Sequence, residues 1–327
     1  MNVRRGSGDV NHGAVRPRVG SPVVRREPEP LRSCPIIDAL WTGRPWERRL
    51  GAAGGRPLGG VHAGTTERTW FRRHDGADRL AKLNSVTKSV TGILAGFVDV
   101  DLSSSALAHL PHVPVDDERK RAITVEHLLG MTSGLEWPEF GVWRGSAPPL
   151  TASKDLLRAV VERPLVDEPG RTMWYSTGSS HLLGAVLHRR TGRSVEQLAE
   201  EHLFRPSGIR RWRFYADRNG YSHAGNGLCL LPTDLARLGT AVLREEVAPL
   251  DWLRECWRPR TRTYPWIGAY GWHWWADPDL GMVFALGLGG QLLALFPDQE
   301  LVVVMTGGTS FEGTQDGVEL LRQAYRA

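Results

Sequence analysis

Three apolar runs in the last third of the chain, residues 282–286, 292–296 and 301–306, constrain the fold more than any other feature. Each has strand length, and the last two are joined only by Pro297-Asp298-Gln299-Glu300, a hairpin-length connection that makes them antiparallel. Two shorter strands are expected near the other end, at 58–61 and 69–71 on either side of Gly64. Between these ends the apolar residues recur at helical spacing, predicting helices at about 153–162, 179–190, 194–203 and 233–244, the last capped by Thr233 after Pro232. A closing amphipathic helix is expected over 314–326. Strands at both ends with helices between them predict an α+β domain. Its antiparallel sheet would be flanked by helices and interrupted by a mainly helical insertion at roughly 100–265.

Smaller elements fill the rest. A short helix is expected at 36–46, a loop over 99–122, and a helix capped by Thr124 that carries Leu128 and Leu129 and ends at Gly134. Residues 136–150 read as an irregular aromatic loop, and 270–275 alternate like a strand. Trp137, Trp143 and Trp274 are candidates for an aromatic pocket wall.

Charge is unevenly placed. The formal net charge is +5, yet residues 1–33 hold seven arginines against Asp9, Glu27 and Glu29, leaving the remainder nearly neutral. A nearly neutral body argues against a nucleic-acid surface on the folded part. The proline-bearing basic stretch 1–33 reads as a disordered leader, with the folded domain over 34–327. It lacks the apolar core of a secretory signal. No stretch approaches the roughly 20 apolar residues of a membrane span. A cytoplasmic protein is therefore expected. Cys34, Cys229 and Cys256 are odd in number and far apart, and the eleven histidines form no H-E-x-x-H pair, so neither a metal nor another cofactor is predicted.

The chemistry concentrates in Asn84-Ser85-Val86-Thr87-Lys88, where Ser85 and Lys88 form an S-x-x-K pair. On a helix, residues three apart share a face, so the amine reaches the hydroxyl. A serine becomes a useful nucleophile only when a base takes its proton. Lysine at its reference pKa of about 10.4 is not that base at neutral pH, so the reading requires Lys88 to be buried or beside another cation, or to pass protons through a third group. Such pairs also arise by chance. Only four lysines occur, at 82, 88, 120 and 154, in a chain rich in arginine, which never gives up its proton.

Further segments follow in a recognisable order: Glu126-His127-Leu128-Leu129-Gly130-Met131-Thr132-Ser133-Gly134-Leu135, Pro169-Gly170, Tyr175-Ser176-Thr177-Gly178, His202-Leu203-Phe204, Thr233-Asp234-Leu235-Ala236-Arg237 and Gly287-Leu288-Gly289-Gly290-Gln291. With Ser85 to Gly92, this series resembles the serine β-lactamase and penicillin-binding-protein superfamily. Within it, the series is most similar to the class C, DD-peptidase and esterase branch and its 6-aminohexanoate-dimer-hydrolase-like members. The resemblance runs from about residue 80 to the C-terminus.

It implies Ser85 as acylated nucleophile, Lys88 as its proton partner and Tyr175 as a phenol relaying a proton. A phenol beside an ammonium is expected to be pulled toward phenolate. The resemblance also places Gly287, Gly289, Gly290 and Gln291 on a strand edging the site, where a backbone N–H joins that of Ser85 in an oxyanion hole. Thr177 stands at the substrate-binding position where the family usually has asparagine, and no basic residue fills the family's third motif. Those departures favour a small amide or ester over a β-lactam as substrate.

A penicillin-binding or catalytically inactive ligand-binding homologue is the alternative. The G-x-S-x-G elbow of α/β-hydrolases is absent, and the glycines at 287–290 are not a dinucleotide fingerprint.

Overall fold

The computed structural model describes residues 58–63, 66–71, 78–139, 153, 155–307 and 314–326. The expected helix at 36–46 and Trp143 lie outside them.

The apolar runs become strands β8 (Met282–Gly287), β9 (Gln291–Phe296) and β10 (Leu301–Thr306). The early pair becomes β1 (Leu58–Ala63) and β2 (Thr66–Phe71), longer than sequence predicts because all six residues of each find a partner. With β6 (Ala269–Tyr270) and β7 (Trp275–Asp277) they form an antiparallel sheet in the order β2-β1-β10-β9-β8-β7-β6. The first strands thus close against the last, and the chain between them supplies all the described helices but the final one, Asp316–Arg326. β3 (Ala81–Lys82), β4 (Trp212–Phe214) and β5 (Leu228–Leu230) form a second small sheet.

Period-two alternation assigns each sheet residue to a face. In β9 and β10, Leu293, Leu295, Val302 and Val304 join one core cluster. Leu292, Ala294, Phe296, Leu301, Val303 and Met305 join another, with Val318, Leu321 and Ala324 of the final helix.

The helices are α1 (Val86–Ala95), α2 (Val125–Leu129), α3 (Leu156–Val161), α4 (Thr177–Thr191), α5 (Val195–Ala199), α6 (Pro232–Leu243), α7 (Leu250–Trp257) and α8 (Asp316–Arg326). None of the described helices is long and apolar enough to cross a membrane.

Helix α1 is buried along its whole length. Val86, Val90, Ile93 and Leu94 supply its apolar contacts, and its small polar residues let other segments approach closely. Ser89 Oγ donates to the His273 carbonyl at 2.7 Å and Thr91 Oγ1 to that of Ala224 at 2.7 Å, while Thr87 Oγ1 accepts from the Leu228 N–H at 3.1 Å. Buried hydroxyls with partners avoid the desolvation cost that unpaired ones incur. At Gly92 a methyl group would lie 2.8 Å from His273 Cβ, so only glycine admits that neighbour.

Four expectations are corrected. Helix α2 stops at Gly130 rather than Gly134, because Met131 turns left-handed at φ 60°. Residues 270–275 are not one strand: His273, at φ 60°, reverses the chain between β6 and β7. Helix α6 has Pro232 in its first turn and Leu231, not Thr233, as its cap. Short helical turns at Ala106–His109 and Glu118–Ala122 interrupt the expected loop.

Candidate active site

Ser85 lies at the start of α1, partly exposed, immediately after Asn84 in a left-handed conformation at φ 49°. Asparagine tolerates that region better than most residues. Its amide donates to the Leu288 carbonyl at 2.8 Å, tying the turn that carries Ser85 to the turn that follows β8.

One helical turn on, Lys88 is 1% exposed, and its Nζ donates to Ser85 Oγ at 2.8 Å, Thr177 Oγ1 at 2.8 Å and the Gly225 carbonyl at 3.0 Å. Three acceptors match the three protons of an ammonium. Burial lowers the Lys88 pKa from 10.5 to about 8, opposed by the nearby Glu139 charge. The required environment is present, and burial supplies it.

Tyr175 precedes α4. Its hydroxyl bonds to the Ser85 and Trp275 side chains, and its ring lies 4.9 Å from Lys88 Nζ. Tyr270 and Trp275 clamp the ring at centroid distances of 5.7 and 5.4 Å. The expected drift toward phenolate is reversed: burial, reinforced by Glu139, pushes the phenol pKa well up. Desolvation outweighs the neighbouring amine, so Tyr175 is a protonated hydrogen-bonding group at rest.

Thr177, the first residue of α4, is drawn in by Lys88. It is also held by Glu139, which sequence reasoning passed over. Oε1 of Glu139 accepts from Thr177 Oγ1 at 2.7 Å, and Oε2 accepts from the Thr177 N–H at 3.0 Å and the Trp137 indole at 2.6 Å. A carboxylate at this helix start meets both a free N–H and the positive end of the dipole. The only signal in the sequence was a charge within an aromatic loop.

Gly287 ends β8 against the backbone that carries Ser85: a methyl group there would lie 2.3 Å from the Leu83 carbonyl oxygen and 3.2 Å from Ser85 N. The other expected glycines shape the turn itself, Gly289 and Gly290 taking φ of 81° and 78°. The Gln291 amide is directed at that turn, donating to Gly289 O at 3.2 Å and Gly307 O at 3.3 Å and accepting from Gly307 N at 3.3 Å. Trp274, 1% exposed, and Trp137, 4% exposed, are core residues; Trp137 reaches the site through its indole bond to Glu139.

The Ser85 hydroxyl, the buried Lys88 amine and the Tyr175 phenol, in this chain order and on this sheet-and-helix frame, accompany a match of residues 42–324 to the family described as Beta-lactamase. The chain belongs to the beta-lactamase family.

Among curated proteins, it is 28% identical over 191 residues to the lovastatin esterase of Penicillium rubens, covering 51% of this chain and 47% of that protein. It is 30% identical over 154 residues to the monacolin J acid methylbutanoyltransferase of Aspergillus terreus, covering 40% and 37%. The matches thus span less than half the length of these relatives.

Among solved structures, a putative 6-aminohexanoate-dimer hydrolase from Bacillus anthracis superposes with a TM-score of 0.70 at 18% identity, over 92% of this chain and 86% of that one. A D-stereospecific amidohydrolase from Streptomyces gives 0.66 at 20% identity, over 85% and 97%. These likenesses establish the β-lactamase and transpeptidase-like fold. In this beta-lactamase-family chain, Thr177 bridges Lys88 and Glu139.

Proposed function

We propose that this chain is a serine hydrolase that forms an acyl-enzyme on Ser85 and hydrolyses a small amide or ester. The observation that carries the reading is the Ser85 hydroxyl held 2.8 Å from an amine whose pKa burial has brought to about 8. About a tenth of such an amine is neutral at pH 7, enough to act as a base.

In the acylation step, Ser85 Oγ bonds to the substrate carbonyl carbon as its proton moves to Lys88. The oxyanion is received by the Ser85 N–H and a backbone N–H at the Gly287 edge. The tetrahedral intermediate collapses as the C–N or C–O bond breaks, and Lys88, with Tyr175 as relay, returns the proton to the leaving group. Water then attacks the ester carbonyl, giving its proton back along the same path, and the acid departs as Ser85 recovers its hydrogen.

The names of two relatives, an esterase and an amidohydrolase, support an ester or amide as substrate. The strand edge Ala285-Leu286-Gly287 offers no basic side chain to a β-lactam carboxylate.

The test is intact-protein mass spectrometry after exposure to a fluorophosphonate, together with turnover of a p-nitrophenyl ester and exposure to a penicillin. A single fluorophosphonate adduct on Ser85, lost with ester turnover in folded Ser85→Ala, is expected. A lasting penicillin adduct would move the reading to a penicillin-binding protein, and no adduct on folded wild-type protein would overturn catalysis.

A further inference from the structure

Hydrogen-bond direction at Lys88 contains more than the pairing of Ser85 and Lys88. A carboxylate only accepts, so the Thr177 hydroxyl, 2.7 Å from Glu139 Oε1, must give its proton to Glu139. Its lone pairs then face Lys88 Nζ at 2.8 Å. The third partner, the Gly225 carbonyl, also only accepts, at 3.0 Å. When Lys88 loses a proton, two N–H groups and one lone pair remain. Neither Thr177 nor Gly225 can donate to that lone pair. Of the three partners only Ser85 Oγ, at 2.8 Å, can supply a proton to it.

We propose that Glu139 is a positioning residue that, through Thr177, fixes the polarity of this chain of hydrogen bonds so that, of its three hydrogen-bond partners, the neutral Lys88 can accept a proton only from Ser85 in the acylation step. The inference rests on the acyl-enzyme reading and deepens it. It also gives a reason for threonine at the asparagine position: an asparagine carbonyl accepts from lysine unaided, whereas a hydroxyl has no fixed direction until a neighbour sets it.

Glu139 has a second effect, because its charge holds the Lys88 pKa above the level burial alone would set. The other titratable groups around the amine are Tyr175, whose phenol burial keeps protonated, and His181 and His273, both lowered to about 3 and therefore neutral near pH 7.

Glu139→Gln separates these effects from simple packing. The Trp137 indole and Thr177 N–H share Oε2, so the glutamine oxygen turns toward those two donors and its NH2 faces Thr177 Oγ1. The threonine proton is then released to compete with Ser85 for the lysine lone pair. Loss of the negative charge lowers the Lys88 pKa further.

The experiment measures the rate of fluorophosphonate labelling at Ser85 across pH 5 to 10, with thermal unfolding as the check on folding. Wild-type labelling that rises with pH to a plateau is the starting point. Its absence would overturn the acyl-enzyme reading, and this inference with it, before any variant is made.

In folded Glu139→Gln the plateau is expected to fall about tenfold or more, and the acid limb to move to lower pH by roughly half a unit or more. An unchanged plateau, or a lower plateau with the limb unmoved, overturns the inference while leaving acylation of Ser85 intact.

Should Glu139→Gln not fold, Thr177→Ala and Thr177→Ser decide from the other side. Alanine is expected to lose about tenfold or more of the labelling and serine, restoring the hydroxyl, to recover most of that loss. Alanine labelling at the wild-type rate overturns the proposal, and so does serine failing to recover.

Discussion

Burial favours the neutral form of Lys88 at a cost in stability. The lowering from 10.5 to about 8 is equivalent to about 3 kcal/mol of preference for the neutral amine. Between those two pH values the unfolded chain holds a proton that the folded chain has released, so stability rises with pH across the window. Against a Lys88→Met reference, wild-type stability is expected to gain about 3 kcal/mol from pH 8 to pH 10.5, read by urea unfolding at each pH. A flat difference between the two proteins would place the lysine pKa near its ordinary value. Over the same range, labelling of Ser85 should rise through a limb near pH 8 and level off.

The proximity of Ser85 and Lys88 was legible because one helical turn brings them together whatever surrounds them. The ionisation of Lys88 and Tyr175 was not, since it depends on burial that tertiary packing creates. Glu139 escaped notice for the same reason: 38 residues separate it from Thr177, and only the folded loop joins them.

Among the elements, α1 and the turn at His273 form a unit under the site. His273 Nδ1 lies 2.8 Å from the Leu129 carbonyl and donates to it, and in the neutral ring Nε2 accepts from Ser180 Oγ at 2.9 Å. Burial lowers His273 to about 3, and burial with the neighbouring His223 and Lys88 lowers His181 equally far. In the unfolded chain both rings take up protons near pH 6.5. Their contribution to stability is thus present above that pH and lost as pH falls toward 3, with a combined slope approaching about 2.7 kcal/mol per pH unit. Thermal unfolding from pH 7 to pH 4 is expected to show a steep drop in Tm, reduced in His273→Gln; a Tm insensitive to pH would refute the neutral pair.

This turn also shows why part of the fold was misread. Alternating apolar side chains in 270–275 have strand periodicity, but a left-handed residue breaks the strand without disturbing that pattern. Helix α7 was missed because its buried contacts come from Leu253 and Cys256, too few to announce a helical stripe, while Trp252 reaches across to the Gly92 carbonyl at 3.0 Å. The three long C-terminal strands were legible because both of their faces are buried, and a continuous apolar run reports that directly.

For the whole molecule, the sheet is a shared wall. Leu293, Leu295 and Val302 pack at Gly239 of α6 and, with Val304, share a core cluster with α1, while the alternate residues of the same strands cluster with α8. A strand cannot keep one face packed and release the other, so the two clusters are expected to unfold together. Leu321 of α8, fully buried on the side away from α1, tests this. Leu321→Ala removes side-chain volume from a filled site and should cost about 2–5 kcal/mol. Because the loss is remote from Lys88 and Thr177, fluorophosphonate labelling of Ser85 at 25 °C should proceed at the wild-type rate. Urea unfolding followed by tryptophan fluorescence and by labelling of Ser85 should give one coincident transition, shifted to lower denaturant. Two separated transitions would mean that α8 and its face of the sheet form a cooperative unit of their own. The site would then span two units, with α1 in one cluster and Tyr175 in the cluster that holds α8, and shared cooperativity would not explain how they stay aligned.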